Sequence, residues 1–178
     1  MNTENVNLIL SYTTILGQVI LILILGLLLF FKKSKLLSFW GNNGIRFSFL
    51  IALFSMLGSL FYSEIIGYPP CTLCWYQRIF MYSSVFLLGT ALWKGGERHI
   101  IDYSIVFSII GGILAGFNYY LQIMGSGPIS CSAIGYSIDC SERFFLNLGY
   151  ITIPMMSLTA FGLIIVLMLA KKIKNIKL

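Results

Sequence analysis

Five long apolar stretches alternate with short polar ones along the 178-residue chain. The clearest, residues 8–31, runs for 24 residues without an acidic or basic side chain and stops at Lys32, Lys33 and Lys35. The others cover about 47–66, 72–93, 103–124 and 144–170, divided by Pro69-Pro70, by the polar run 94–102 and by a loop over 125–143. Each is close to the roughly 20 residues that carry an α-helix across a bilayer. The pattern predicts an all-α, polytopic membrane helix bundle with five spans. A secretory signal would bring a basic leader and a small-residue cleavage site. Here Glu4 precedes the first stretch, and Leu27, Leu28, Leu29, Phe30 and Phe31 run straight into lysine, so a retained transmembrane helix is expected.

Composition agrees with this and narrows it. The chain is 58% hydrophobic and 10% charged, with a mean hydropathy of +0.89, whereas a soluble domain is roughly a quarter charged. An ordinary globular domain and a disordered chain are both excluded. Five spans use about 100 residues, which leaves no room for a separate soluble domain. With five spans the two ends lie on opposite sides. Ten of the twelve basic residues (Lys32, Lys33, Lys35, Arg46, Lys94, Arg98, Lys171, Lys172, Lys174, Lys177) fall on one side, leaving Arg78 and Arg143 on the other. The positive-inside rule makes the crowded side cytoplasmic. The N-terminus is then expected outside and the C-terminus inside. The net charge of +6 reports orientation, and no nucleic acid partner is expected, because the basic residues cluster at helix ends without interleaved aromatics.

That orientation puts all four cysteines on the far side. Disulfides persist outside a bacterial inner membrane or in the secretory lumen, so Cys71-Thr72-Leu73-Cys74 and Cys131…Cys140 read as two redox pairs. Pro69-Pro70 cannot continue a helix but can precede one. Cys71 should therefore open the third helix, with Cys74 one turn inside. Helix N-termini and Cys-x-x-Cys spacing both favour the thiolate, the species that exchanges disulfides. Arg78 lies four residues beyond Cys74 on the same face. It either snorkels back to the interface, or it stabilises Cys74 and the negative charge developing on a ring carbonyl of a lipid-soluble acceptor such as a quinone. For the first pair taken alone, a structural disulfide and half a zinc site are the other readings. For the second pair the other reading is a disulfide that staples a short loop containing Gly135.

Remaining features have plainer readings. Gly112-x-x-x-Gly116 and Gly58-Ser59 are expected to allow close helix packing. His99 is expected to be solvated, Met155-Met156 to fill the core, and Trp40, Trp75 and Trp93 to sit in an interfacial aromatic belt. No acidic cluster has metal-ligand spacing, and no metal site is expected.

Met56-Leu-Gly-Ser-Leu, Cys71-Thr-Leu-Cys74-Trp-Tyr-Gln-Arg78, Cys140-Ser-Glu-Arg143, Gly149 and Ile151-Thr-Ile-Pro154 together resemble the DsbB/BdbC family of quinone-linked membrane thiol oxidoreductases. The resemblance covers about residues 46–170. It implies a four-helix DsbB-like core over residues 46–178, preceded in residues 1–45 by an additional transmembrane helix and a basic cytoplasmic loop. It also implies a bacterial cytoplasmic (inner) membrane location and a relay. In that relay Cys131 meets a soluble DsbA-like thioredoxin-fold partner, Cys140 exchanges with Cys71, and Cys74 passes electrons to quinone (ubiquinone or menaquinone) beside Arg78. Three departures stand out. The additional first helix has no counterpart in the family core; only eight residues separate Cys131 from Cys140, as in the shorter Gram-positive-type members, so the long external segment of the best-known form is missing; and Asn118 stands near where many members carry a quinone-contact histidine. The competing readings are a vitamin-K-epoxide-reductase-like enzyme, in which the loop pair precedes the Cys-x-x-Cys, and a non-enzymatic membrane protein braced by two disulfides. A transporter is disfavoured because no acidic residue lies deep in a span.

Overall fold

The computed structural model describes residues 3–31, 34–95, 97–124, 140 and 146–176. Among the described residues five helices follow one another: α1 (Thr3–Phe30), α2 (Lys35–Leu60), α3 (Thr72–Lys94), α4 (Glu97–Met124) and α5 (Ile153–Ile176). Their apolar content suits them to a bilayer, where lipid replaces water and only a self-satisfied backbone can cross. Helices α2, α3, α4 and α5 close into a ring of neighbours, α2 on α3, α3 on α4, and α5 on both α4 and α2. Helix α1 stands outside this ring, packed chiefly on α5. The architecture is an all-α membrane bundle, a four-helix core with one helix added at the N-terminal side.

Among the described residues, four helices are long and apolar enough to cross a membrane: Asn5–Phe30, Lys35–Ile65, His99–Met124 and Ile153–Lys174. Helix α3 has the length, 23 residues, or about 34 Å at 1.5 Å per residue. Gln77, Arg78, Ser83 and Ser84 lower its apolar content, and it is carried between α2 and α4.

The helix ends differ from the hydropathy reading. Helix α2 starts at Lys35 rather than near Phe47, capped by Ser34, whose hydroxyl accepts from the Leu37 N–H at 3.1 Å. Its first turns include Gly41-Asn42-Asn43-Gly44, a loop-like string by composition. The two glycines let α2 approach α5 so closely that an added Cβ would lie 3.1 Å from the Ala170 carbonyl oxygen and 3.0 Å from that of Leu167. Helix α5 starts at Ile153 rather than Phe144. Before it, Asn147 and Ile151 exchange backbone hydrogen bonds around a turn in which Leu148 and Gly149 have φ of 53° and 82°. Pro154 then occupies the first turn, where its missing N–H costs nothing.

The anticipated small-residue contacts are only partly those observed. Gly112 and Gly116 do face α5, but the close approach is at Gly111, where a Cβ would overlap the Phe161 ring. A Cβ added at Gly58 would meet none of the described residues, and Gly58 instead lines a cavity. His99 is exposed, as expected. At one end of the bundle Lys172 on α5 pairs with Asp102 on α4 at 2.6 Å. The cysteines lie at the other.

Candidate functional site

The site is built where α2 stops and α3 begins. After Leu60 the helix widens into a π turn (Phe61–Ile65), and Gly67 at φ 83° turns the chain toward Pro69-Pro70. A π turn inside a helix is often found at a functional site. Cys71 is the N-cap of α3, in extended conformation, and its sulfur accepts from the Cys74 N–H at 3.4 Å. This is the placement the prolines dictate. The two sulfurs lie 3.0 Å apart, with the Cys71 thiol donating to Cys74. That donation, together with burial, pushes the Cys71 thiol well above its ordinary value.

Two further groups close over the pair. Asn118, fully buried on α4, directs its Nδ2 to Cys74 Sγ at 3.4 Å and to Cys71 Sγ at 3.8 Å. The sequence marks Asn118 only as a departure from a family pattern, and nothing local to it announces a contact with sulfurs 44 and 47 positions away. Cys140 is also buried and packs with Cys71, Leu73, Cys74 and Leu121. Its thiol hydrogen-bonds Cys71. Three of the four expected cysteines thus converge. Cys131, like Arg143, lies outside the described residues.

Arg78 sits one turn below Cys74 and turns toward α2. Its Nε donates to Ser59 Oγ at 2.9 Å and its Nη2 to the Ser59 carbonyl at 3.1 Å. The guanidinium lies 5.2 Å from the centre of the Trp75 ring, within cation–π range. Neither sequence reading describes this arrangement: Ser59 on the neighbouring helix holds the guanidinium.

Beneath the cysteines lies a cavity of about 530 Å³. Its polar end is formed by Cys71, Cys74, Gln77, Arg78 and Ser59, and its walls continue through Phe54 and Leu163 to Trp40 and Leu167. Two buried lining groups, Gln77 Nε2 and the Tyr82 hydroxyl, have no hydrogen-bond partner among the described residues. An unmatched buried polar group costs about 1–3 kcal/mol. A ligand with carbonyl oxygens would meet that need, and its apolar remainder would match the walls. Gln77 was not singled out from sequence; the signal available was an amide beside Arg78 within an apolar run.

The family described as "Disulfide bond formation protein DsbB" matches residues 43–171. The chain is similar to "Disulfide bond formation protein C" of Bacillus subtilis (strain 168), 42% identical over 122 residues, covering 68% of this chain and 86% of that protein. It is also similar to the "SPbeta prophage-derived disulfide bond formation protein B" of the same organism, 40% identical over 130 residues, covering 73% of this chain and 86% of that protein. A "Probable disulfide formation protein C" of Halalkalibacterium halodurans is 40% identical over 119 residues, 67% of this chain and 85% of that protein. No solved structure gives a significant match. With its Cys-x-x-Cys at the head of a bundle helix and a third cysteine packed against it, the chain belongs to the DsbB family of disulfide bond formation proteins.

Proposed function

We propose that the protein is a membrane thiol:quinone oxidoreductase that reoxidises a DsbA-like thioredoxin-fold partner and so sustains disulfide formation outside the cytoplasm. The observation that carries this reading is the cavity joining Cys74 to Arg78 and Gln77 at one end and to an apolar slot at the other. The basic end of the bundle faces the cytoplasm in this reading and the cysteine end faces outward, by the positive-inside rule. The membrane is the bacterial cytoplasmic membrane.

The chain's own chemistry is a sequence of thiolate attacks. The partner's thiolate attacks Cys131, breaking the Cys131–Cys140 bond and releasing Cys140. Cys140 attacks Cys71, breaking Cys71–Cys74 and releasing the Cys74 thiolate, over which the Asn118 amide is already placed. The partner's second thiolate then frees Cys131, leaving the partner oxidised. Cys131 recaptures Cys140 and releases Cys71. The net result is a reduced Cys71/Cys74 pair holding two electrons and two protons. A quinone supplies the acceptor for both. Arg78, Gln77 and Tyr82 are the donors for its oxygens, and the buried clustering of Cys140 with Cys71 makes the second exchange intramolecular. Purified protein supplied with quinone is expected to oxidise a reduced DsbA-like partner with one quinol formed per disulfide. Cys74→Ala is expected to abolish quinone reduction, and an unimpaired variant would overturn the reading.

A further inference from the structure

Helix α1 lies outside the residues that match the family, 43–171, yet it is built into the cavity. Leu10, Thr13, Gly17 and Ile20 fall at i, i+3, i+7 and i+10, one face of the helix, and all four line the cavity beside Leu16. The adjacent face is a polar ladder, Asn7, Ser11, Thr14 and Gln18. Polar side chains in a span are retained where they find partners, and three of these reach other elements. The Tyr62 hydroxyl donates to Asn7 Oδ1 at 2.8 Å, Asn147 Nδ2 to Ser11 Oγ at 3.2 Å, and the Tyr150 hydroxyl to Gln18 Oε1 at 2.8 Å. Gln18 Nε2 also donates to Thr159 Oγ1 at 3.4 Å. Lower down, a Cβ on Gly162 would run into Leu21, so α1 is seated closely on α5.

Helix α1 is thus fastened to α5 and to the turn before it, while it touches α2 only sparsely. A slot remains between α1 and α2. Its lips, Thr13 and Leu16 on one side and Leu50 and Phe54 on the other, are exposed to the surroundings of the bundle, which are lipid. On α2 the lining residues extend from Trp40 to Ser59, a helical rise of about 28 Å. That is close to the hydrocarbon thickness of a bilayer, roughly 30 Å. A cavity of about 530 Å³ reaching along that length is polar at its Cys74 end and mainly apolar elsewhere.

Resting on the quinone reading above, we infer that α1 is the outer wall of the acceptor site. Its face Leu10, Thr13, Gly17 and Ile20, with Leu16 at the lip, holds the polyprenyl tail of a lipid quinone that enters sideways between α1 and α2. The additional helix then converts an open groove on α2 and α5 into a walled slot and makes the length of the tail a determinant of acceptor choice.

The test uses the full chain in lipid nanodiscs and a long-tailed quinone bearing a diazirine on its second isoprene unit. Illumination and peptide mapping are expected to place the label within residues 10–20, with labelling lost when unmodified long-tailed quinone is added. Label confined to α2 and α5, or α1 label that excess quinone does not displace, would overturn the inference; the latter would make the slot a site for bilayer acyl chains. As a second measurement, Leu16→Trp at the exposed lip is expected to raise KM for the long-tailed quinone about tenfold relative to a tail-less one, as expected when only tail binding is lost. An unchanged ratio would overturn it. Wild-type protein that reduces neither quinone would remove the quinone reading itself and this inference with it, an outcome distinct from normal turnover with α1 unlabelled.

Discussion

Asn118 Nδ2 lies 3.4 Å from Cys74 Sγ and spans the gap to Cys71 at 3.8 Å, so one buried amide serves both sulfurs of the Cys-x-x-Cys. A donor aimed at a sulfur is worth more once that sulfur carries charge, about 1.5–3 kcal/mol for a charged acceptor. Asn118→Leu is therefore expected to slow acceptor reduction by roughly 10- to 100-fold. Stability should change little, because the amide oxygen has no partner among the described residues and its loss removes an unmatched buried acceptor. Asn118→His keeps a donor and is expected to recover much of the rate. Single-turnover quinone reduction, with thermal unfolding as the control, checks this; a leucine variant at wild-type rate would show that the amide serves only packing.

The packing of Cys140 on Cys71 predicts which mixed bond the protein traps. In Cys74→Ser with Cys131→Ser, mild oxidation is expected to yield a Cys71–Cys140 disulfide, since these sulfurs already share a buried cluster and a hydrogen bond. Non-reducing peptide mapping would find it. Two thiols left free under conditions that oxidise the wild-type pairs would contradict the proposed order of exchange.

Much of this site was legible in the sequence, and the reason differs from part to part. Pro69-Pro70 and the cysteine spacing placed Cys71 at a helix start because local backbone chemistry decides that feature. Apolar runs located every helix but not its ends. Gly41 and Gly44 look like breakers until α5 is packed against them, and the start of α5 is set by the turn at Leu148 and Gly149 rather than by the apolar residues before it. Long-range pairings such as Asn118 with Cys74 or Arg78 with Ser59 leave no local trace. The additional first helix showed itself as a span, while its polar ladder acquires meaning only beside Tyr62, Asn147 and Tyr150.

Arg78 is held by its fork rather than by its charge alone, with Nε and Nη2 on the hydroxyl and carbonyl of one residue, Ser59. A lysine cannot reproduce two donors in that fixed geometry. Arg78→Lys is expected to raise KM for quinone by about tenfold or more, equivalent to the roughly 1.4 kcal/mol of one net hydrogen bond. Ser59→Ala, which leaves the carbonyl in place, should have a smaller effect. Steady-state kinetics with varied quinone would separate the two; equal effects would mean that the hydroxyl alone positions the guanidinium.

Gly111 and Gly112 are neighbours with opposite expected tolerances. A methyl on Gly111 would overlap the Phe161 ring, which is fully buried at the α4–α5 contact. The same methyl on Gly112 would sit 3.7 Å from the Phe161 Cβ, an ordinary contact. Overpacking of a core costs about 1–3 kcal/mol, so Gly111→Ala should lower the thermal midpoint of the detergent-solubilised protein by several degrees. Gly112→Ala gains helix propensity of about 1 kcal/mol over glycine and should leave the midpoint unchanged or raise it. Because α5 also carries α1 and one wall of the cavity, the Gly111 variant should additionally lose affinity for long-tailed quinone. Equal midpoints for the two variants would show that α4 and α5 can separate without cost, against the close packing of Gly111 on Phe161.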